Sequence, residues 1–322
     1  MLAVYAARQS SSDPLSGLEV GDVPAPQTPP GWVRITVKTC ALNHHDVWSL
    51  RGVGLPADRL PMILGCDAAG FDEQGNEVLV HAVVGSPDWR GDETLDPARS
   101  LLSERHQGTL AEQVVVPARN VVPKPTGLSW EQAVCLPTAW LTAYRMLFTN
   151  GGVHPGDTVL VQGAGGGVAT ALIQLGAAAG LRMWATTRDP AKGEAALGLG
   201  ADRVFGSGER LPARVDAVME TVGAATWSHS VNSLRPGGRI VISGATSGDA
   251  PVKAELTKIF FKQLQVVGST MGTKDELARL ANFVVTAGID PRIDRVLPLS
   301  RARDGFEAMV AGQVDGKIVF TV

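Results

Sequence analysis

The sequence predicts an α/β chain of two domains, the second built on a doubly wound parallel sheet. Three observations carry this. The first third is β-rich and irregular, with apolar and polar residues alternating at period two. From about Asp157 the rhythm changes to short β-branched runs separated by helical segments. Between the first of those runs and its helix stands a glycine-rich turn, QGAGGGV.

In the first third, residues 32–39 (WVRITVKT) form the clearest half-buried strand, and 77–84 (EVLVHAVV) and 112–116 (EQVVV) are further strands. Residues 86–108 are polar and loop-like. Pro117, Pro123 and Pro125 mark a boundary, after which Ser129 caps a helix. Strands then follow at 158–162, 182–187, 202–205, 215–220, 238–243 and 265–268, with helices at 166–179, 191–199, 224–234 and 254–263. Six strands over about 110 residues fit a sheet covered on both faces. After Gly288 come IDRVLPLS, a helix near 301–310 and the strand KIVFTV. The expected domains are 1–124, completed by 275–322, and 125–274.

With 44% hydrophobic and 19% charged residues and a net charge of −3, the chain has no electrostatic footprint for nucleic acid or an anionic membrane. Three cysteines make no disulfide framework, which points to the cytoplasm. The start, MLAVYAARQSSSDP, is not a signal peptide. No apolar run approaches the roughly 18 residues of a membrane span.

The glycine turn places Gly163, Gly165, Gly166 and Gly167 between strand and helix, with Ala169 where a third motif glycine is usual. Glycines there let the backbone approach a pyrophosphate at the helix N-terminus. Ala164, Gly165, Gly166, Gly167 and Val168 are the expected contacts. The second strand ends in ATTRDPAK, with no carboxylate to accept from a ribose 2′-hydroxyl. Thr187, Arg188 and Lys192 suit a 2′-phosphate, and Asp189 reads as a helix N-cap ahead of Pro190. The expected cofactor is NADPH. Gly244 and Ala245, and Ser269 and Thr270, follow strands whose C-terminal ends face the cofactor.

Together these residues resemble the medium-chain dehydrogenase/reductase superfamily, nearest its quinone oxidoreductase-like branch. The resemblance runs through VKTCALNHHDVWSLRG, PMILGCDAAG, GTLAEQVVVPARNVVPKP, LPTAWLTAYRML, GDTVLVQGAGGGV, LRPGGRIVISG and the terminal GKIVF. It implies a GroES-like catalytic domain made from both chain ends, a Rossmann domain inserted between them, a substrate site in the cleft and a homodimer.

The zinc alcohol dehydrogenases of that superfamily allow a test by position. Their cysteine ligand falls on Asn43, their histidine on Cys66 and their second cysteine near Thr138. Asparagine and threonine are poor zinc ligands, and residues 86–108 lack the four cysteines of a structural zinc lobe. No metal is expected, although His44 or His45 with Cys66, Asp67 and His81 offers an atypical set. Hydrogen bonds alone must then polarise the substrate, which favours quinones and α,β-unsaturated carbonyls.

By the same resemblance Asn43 lies beside the nicotinamide. His45 falls at the proton-relay position, where an imidazole suits proton delivery. Asp46 matches an acid that orients the loop, and is grouped with the catalytic residues. His44 lies near the pyrophosphate as a cationic partner. Thr142 and Lys317 are further cofactor contacts, and Trp48 and Met271 line the substrate pocket. Enoyl-thioester reductases of the superfamily use a tyrosine near this loop, where RGVGLP carries Gly54 instead. The expected activity is NADPH-dependent quinone or enone reduction. The alternatives are an alcohol or aldehyde dehydrogenase with an atypical metal and an NADPH-binding protein without turnover.

Overall fold

The computed structural model describes residues 1–322. It divides into two compact units, Thr142–Thr270 and the pair of segments Met1–Leu141 and Met271–Val322. Residues 125–141, assigned from the sequence to the nucleotide-binding unit, belong to the first unit. There the Thr39 hydroxyl donates to Trp130 O at 3.0 Å and Gln132 reaches Asp290 at 2.8 Å.

In the larger sheet of the first unit the strands follow the order Val121–Pro123, Glu77–Val80, Asp67–Phe71, Trp32–Ala41, Lys317–Thr321 and Ile293–Pro298. The C-terminal strand pairs antiparallel with the end of Trp32–Ala41, Val319 opposite Ala41, so both chain ends build one sheet. Alternating residues Ile35 and Val37 enter a core with Val78 and Val80, which alternate likewise, and with Phe306 and Phe320. The single strand expected at 77–84 breaks into Glu77–Val80 and Val83–Val84. Asn120 causes the break: its amide donates to His81 O and Val83 O, replacing ladder bonds.

The second unit is a six-stranded sheet of order Arg203–Gly206, Arg182–Thr187, Thr158–Val161, Val215–Glu220, Leu234–Ile242 and Gln265–Gly268. Every pairing is parallel. Numbered within the unit this is 3-2-1-4-5-6, the order of a dinucleotide-binding sheet. Leu160, Val218 and Ile240 are fully buried on it. Truncating such a leucine to alanine costs about 2–5 kcal/mol. The helix expected at 254–263 shortens to Leu256–Phe261, because Glu255 turns left-handed at φ 59°. No helix is long and apolar enough to cross a membrane.

Candidate functional site

In the first unit the chain leaves strand Trp32–Ala41, and Leu42 N donates to Ile318 O at 3.0 Å. Asn43 then caps helix His44–Leu50 with an extended backbone. Asp46, fully buried, closes the turn: its oxygens accept from Asn43 N at 2.9 Å and Gly65 N at 2.8 Å. Burial raises its pKa and Asp67 adds to this, against the two amide bonds. The resemblance groups Asp46 with the catalytic residues. Both oxygens are committed to backbone, so it holds the turn against the GCD segment.

The Asn43 amide lies between opposite charges. Its Nδ2 donates to Asp67 Oδ2 at 2.8 Å, and its Oδ1 accepts from Lys317 Nζ at 2.7 Å. Lys317 also donates to Asp67 Oδ2 at 2.8 Å and Leu42 O at 2.9 Å. The two charged side chains are 2% and 0% exposed. Lys317, expected at the cofactor, is instead an internal counter-ion. The register that pairs Val319 with Ala41 brings it beneath Asn43, and its three ammonium protons are used there.

His45 Nε2 lies 3.0 Å from Glu104 Oε1, while Nδ1 faces Ser103 Oγ at 3.5 Å and Cys66 Sγ at 3.6 Å. Burial opposes charge on this ring, but Cys66, Glu104 and Asp46 outweigh it and raise its pKa well above the ordinary value. Burial pushes the Cys66 thiol up, and its sulfur contacts Leu102 O at 3.4 Å. His44 is exposed at its rim, yet desolvation of its packed side, then Arg51 and Lys317, lower its pKa. Desolvation thus works against the cationic form expected of His44.

Trp48 is half-buried with the Arg51 guanidinium 5.0 Å over its ring. Met271, expected to line the pocket, packs into the core of the first unit instead, at φ 48° and 9% exposed. His81 lies 2.8 Å from Gly272 O through Nε2 and does not join His45 and Cys66.

In the second unit the glycine turn follows strand Thr158–Val161. Gly163 and Gly165 adopt φ 79° and 103°, which favour glycine. Gly163 N donates to Thr186 Oγ1 at 3.1 Å and Ala164 N to Thr186 O at 2.8 Å, fixing the turn to the neighbouring strand. Gly166 caps the twelve-residue helix Gly167–Ala178, and a Cβ on it would meet nothing within 4 Å. Val168 lies in the first turn of that helix. At Gly165 a Cβ would stand 2.6 Å from Lys192 Cδ, so a side chain there would displace the lysine from its path over the turn.

Asp189 caps helix Pro190–Gly198 by accepting from Ala191 N at 2.9 Å, leaving Arg188 exposed at the strand end. The Thr187 hydroxyl bonds the Asp189 backbone. Gly244 and Ala245 follow strand Leu234–Ile242, and Thr270 is exposed after Gln265–Gly268. Ser269 Oγ accepts from Asn150 at 3.0 Å, and Thr142 is 7% exposed at the start of the unit. Thus Ala164–Val168, Thr187, Arg188, Lys192, Gly244, Ala245 and Ser269 gather at the carboxyl ends of the parallel strands.

Two family models match the chain: "Alcohol dehydrogenase GroES-like domain" over residues 29–126 and "Zinc-binding dehydrogenase" over 167–286. A solved structure described as an NAD-dependent alcohol dehydrogenase is 35% identical, with TM-score 0.92 and each chain covered in full. The chain belongs to the medium-chain dehydrogenase/reductase superfamily. It is an oxidoreductase of that superfamily, with the GroES-like and Rossmann folds the sequence suggested. It is also similar to acryloyl-coenzyme A reductase of Sulfurisphaera tokodaii, 29% identical over 95% of this chain and 97% of that one. A 2-octenoyl-CoA carboxylase reductase, CinF, solved with NADP and 2-octenoyl-CoA, is 25% identical with TM-score 0.89, covering 99% of this chain and 87% of that one.

Within this superfamily member, sequence reasoning missed residues that hold others in place. Glu104 and Ser103 lie in a polar loop with no periodic signal. Gln162, fully buried, donates to His229 Nδ1 at 2.8 Å and Ser230 Oγ at 3.0 Å and accepts from Thr186 at 2.8 Å. Ser230 donates to the buried Glu220 at 2.6 Å, and Glu220 also accepts from Val222 N, Gly223 N and Thr226. This network supports the glycine turn from below. A polar residue directly after a short apolar run, as Gln162 after VLV and Glu220 after AVM both are, is the signal that could have found it.

Proposed function

We propose that this oxidoreductase reduces quinones or α,β-unsaturated carbonyls with NADPH and without zinc. The observation that carries the reading is the Asn43 amide, held between the Asp67 carboxylate and the Lys317 ammonium. The zinc named in the matching family model does not fit these donors. Asn43 is already engaged, Cys66 turns toward His45, and Thr138 offers a neutral, buried hydroxyl with no partner. Hydrogen bonds must then do what a Lewis acid would, which suits acceptors whose conjugation spreads incoming charge.

The second unit fits a dinucleotide. Open space in front of Gly166 and the amides of the first helical turn suit a pyrophosphate, and Arg188 with Lys192 suits a 2′-phosphate. NADPH, when bound, supplies a hydride. Asn43 retains one Nδ2 proton for a substrate oxygen. His45, held above its ordinary pKa, supplies the proton.

Cys40, Cys66 and Cys135 are buried and unpaired, which supports a reducing compartment such as the cytoplasm. A second copy of the chain is the proposed cover for edge strand Gln265–Gly268 and the adjacent Leu256, Phe260 and Phe261, which are 69%, 63% and 75% exposed. Phe261→Glu should convert a dimer to monomer in sedimentation; a wild-type monomer would refute the dimer.

The reading is tested by NADPH and NADH oxidation against quinones, 2-enals and saturated aldehydes. Activity with NADPH on conjugated acceptors supports it. Turnover confined to saturated aldehydes and alcohols would favour the alcohol dehydrogenase reading, which the name of the 35% identical structure recommends.

A further inference from the structure

Glu104, half-buried, packs against helix His44–Leu50 from a distant part of the chain. Its carboxylate lies 3.0 Å from His45 Nε2, with the two side chains 22% and 23% exposed. Two features of the backbone make room for this contact. Gly54, at φ 82°, has no Cβ, and one there would stand 2.9 Å from Glu104 Oε1 and 3.9 Å from His45 Nε2. Ser103, fully buried, adopts φ 65°, a conformation uncommon for serine, and Ser103 N donates to His106 O at 2.8 Å. That turn sets Glu104 on one edge of the imidazole and the Ser103 hydroxyl on the other. At Nδ1 the partners are weak acceptors, the Ser103 hydroxyl at 3.5 Å and the Cys66 thiol at 3.6 Å, so this proton is held less firmly than the one shared with Glu104.

We infer that Glu104 is a positioning residue for His45: it holds the proton on Nε2 and so directs the Nδ1 proton to the reduced substrate. The inference rests on the enone or quinone reading above. In an enone, hydride addition at the β-carbon leaves an enolate. The Nδ1–H bond then breaks, its proton forms the new C–H bond at the α-carbon, and its electron pair stays on the ring. His45 is left neutral, still donating Nε2–H to the Glu104 carboxylate, and solvent restores the proton. The groups facing the ring are Glu104 and Cys66 from neighbouring segments and Asp46 from its own helix; the carboxylates of Glu104 and Asp46 favour the charged form that begins this cycle, and Cys66 is held as the thiol by burial.

The test uses the full chain with Glu104→Gln and Glu104→Asp. In protein labelled with 15N-histidine, the His45 resonance, assigned by its loss in His45→Gln, is followed with pH. Glu104→Gln should lower its titration midpoint, and Glu104→Asp should keep part of the shift. An unmoved His45 midpoint overturns the inference. With NADPH and trans-2-hexenal, Glu104→Gln should lower kcat about 100-fold with KM for NADPH unchanged, and should move the alkaline fall of kcat to lower pH. An unaltered kcat profile also overturns it. A wild-type enzyme inert toward 2-hexenal and benzoquinone would sink the reaction reading, while the histidine titration would still decide the Glu104–His45 coupling.

Discussion

Lys317 and Asp67, 250 residues apart in sequence, form an ion pair of 2.8 Å in which neither side chain is more than 2% exposed. The pair holds Asn43 in place, with Asp67 Oδ1 left buried and without a partner. Lys317→Met would strand a buried carboxylate. It should cost about 3–5 kcal/mol in urea unfolding, and adding Asp67→Leu should recover most of the loss. A double variant no more stable than Lys317→Met would show that the pair is not the source of the effect.

Arg188 stands exposed at the end of strand Arg182–Thr187, while Asp189 is spent on its helix cap. A charge-assisted bond to a 2′-phosphate is worth about 1.5–3 kcal/mol, so Arg188→Ala should raise KM for NADPH about tenfold or more. KM for NADH should stay where it was. An unchanged ratio of the two constants would remove Arg188 from cofactor choice.

Glu220 gathers two backbone amides and the Thr226 and Ser230 hydroxyls, and through Ser230 and Gln162 supports the glycine turn. Glu220→Ala leaves those donors buried and unanswered. Thermal melting should show a loss of about 3 kcal/mol, and NADPH should bind more weakly in calorimetry. A normal NADPH affinity in the folded variant would separate this network from the cofactor site.

Two histidines should shape the dependence of stability on pH in opposite senses. His45 titrates above its ordinary value in the fold, so its contribution is full below about 6.5 and is lost as pH rises through the raised value. Burial lowers the pKa of His81, against its bond to Gly272 and the charge of Glu93, so its contribution is present above about 6.5 and is lost as pH falls. Melting temperature measured from pH 5 to 9 should therefore fall on both sides, and His45→Gln should flatten the alkaline side only.

The parallel sheet was legible because its signals are local: short β-branched runs, a glycine turn and helix caps such as Ser129 and Asp189. Asn43 and His45 stand out in the sequence because they sit in a motif whose counterparts in the zinc relatives carry a ligand and a proton-relay residue. Lys317 was misplaced because its position on the last strand gives no sign of which way the side chain turns; only the antiparallel register with Ala41 does. Met271 was misplaced for a like reason, since a left-handed turn at φ 48° redirects it into the core. Glu104 was invisible, because its contact with His45 depends on a loop closing over Gly54, which leaves no periodicity to read.

The central claim is reduction of a conjugated acceptor without a metal, and turnover of chelator-treated protein tests it most directly. After dialysis against 1,10-phenanthroline, with zinc content measured by atomic emission, NADPH consumption with 2-hexenal and benzoquinone should be undiminished. Activity lost with the metal and restored by stoichiometric zinc would contradict it.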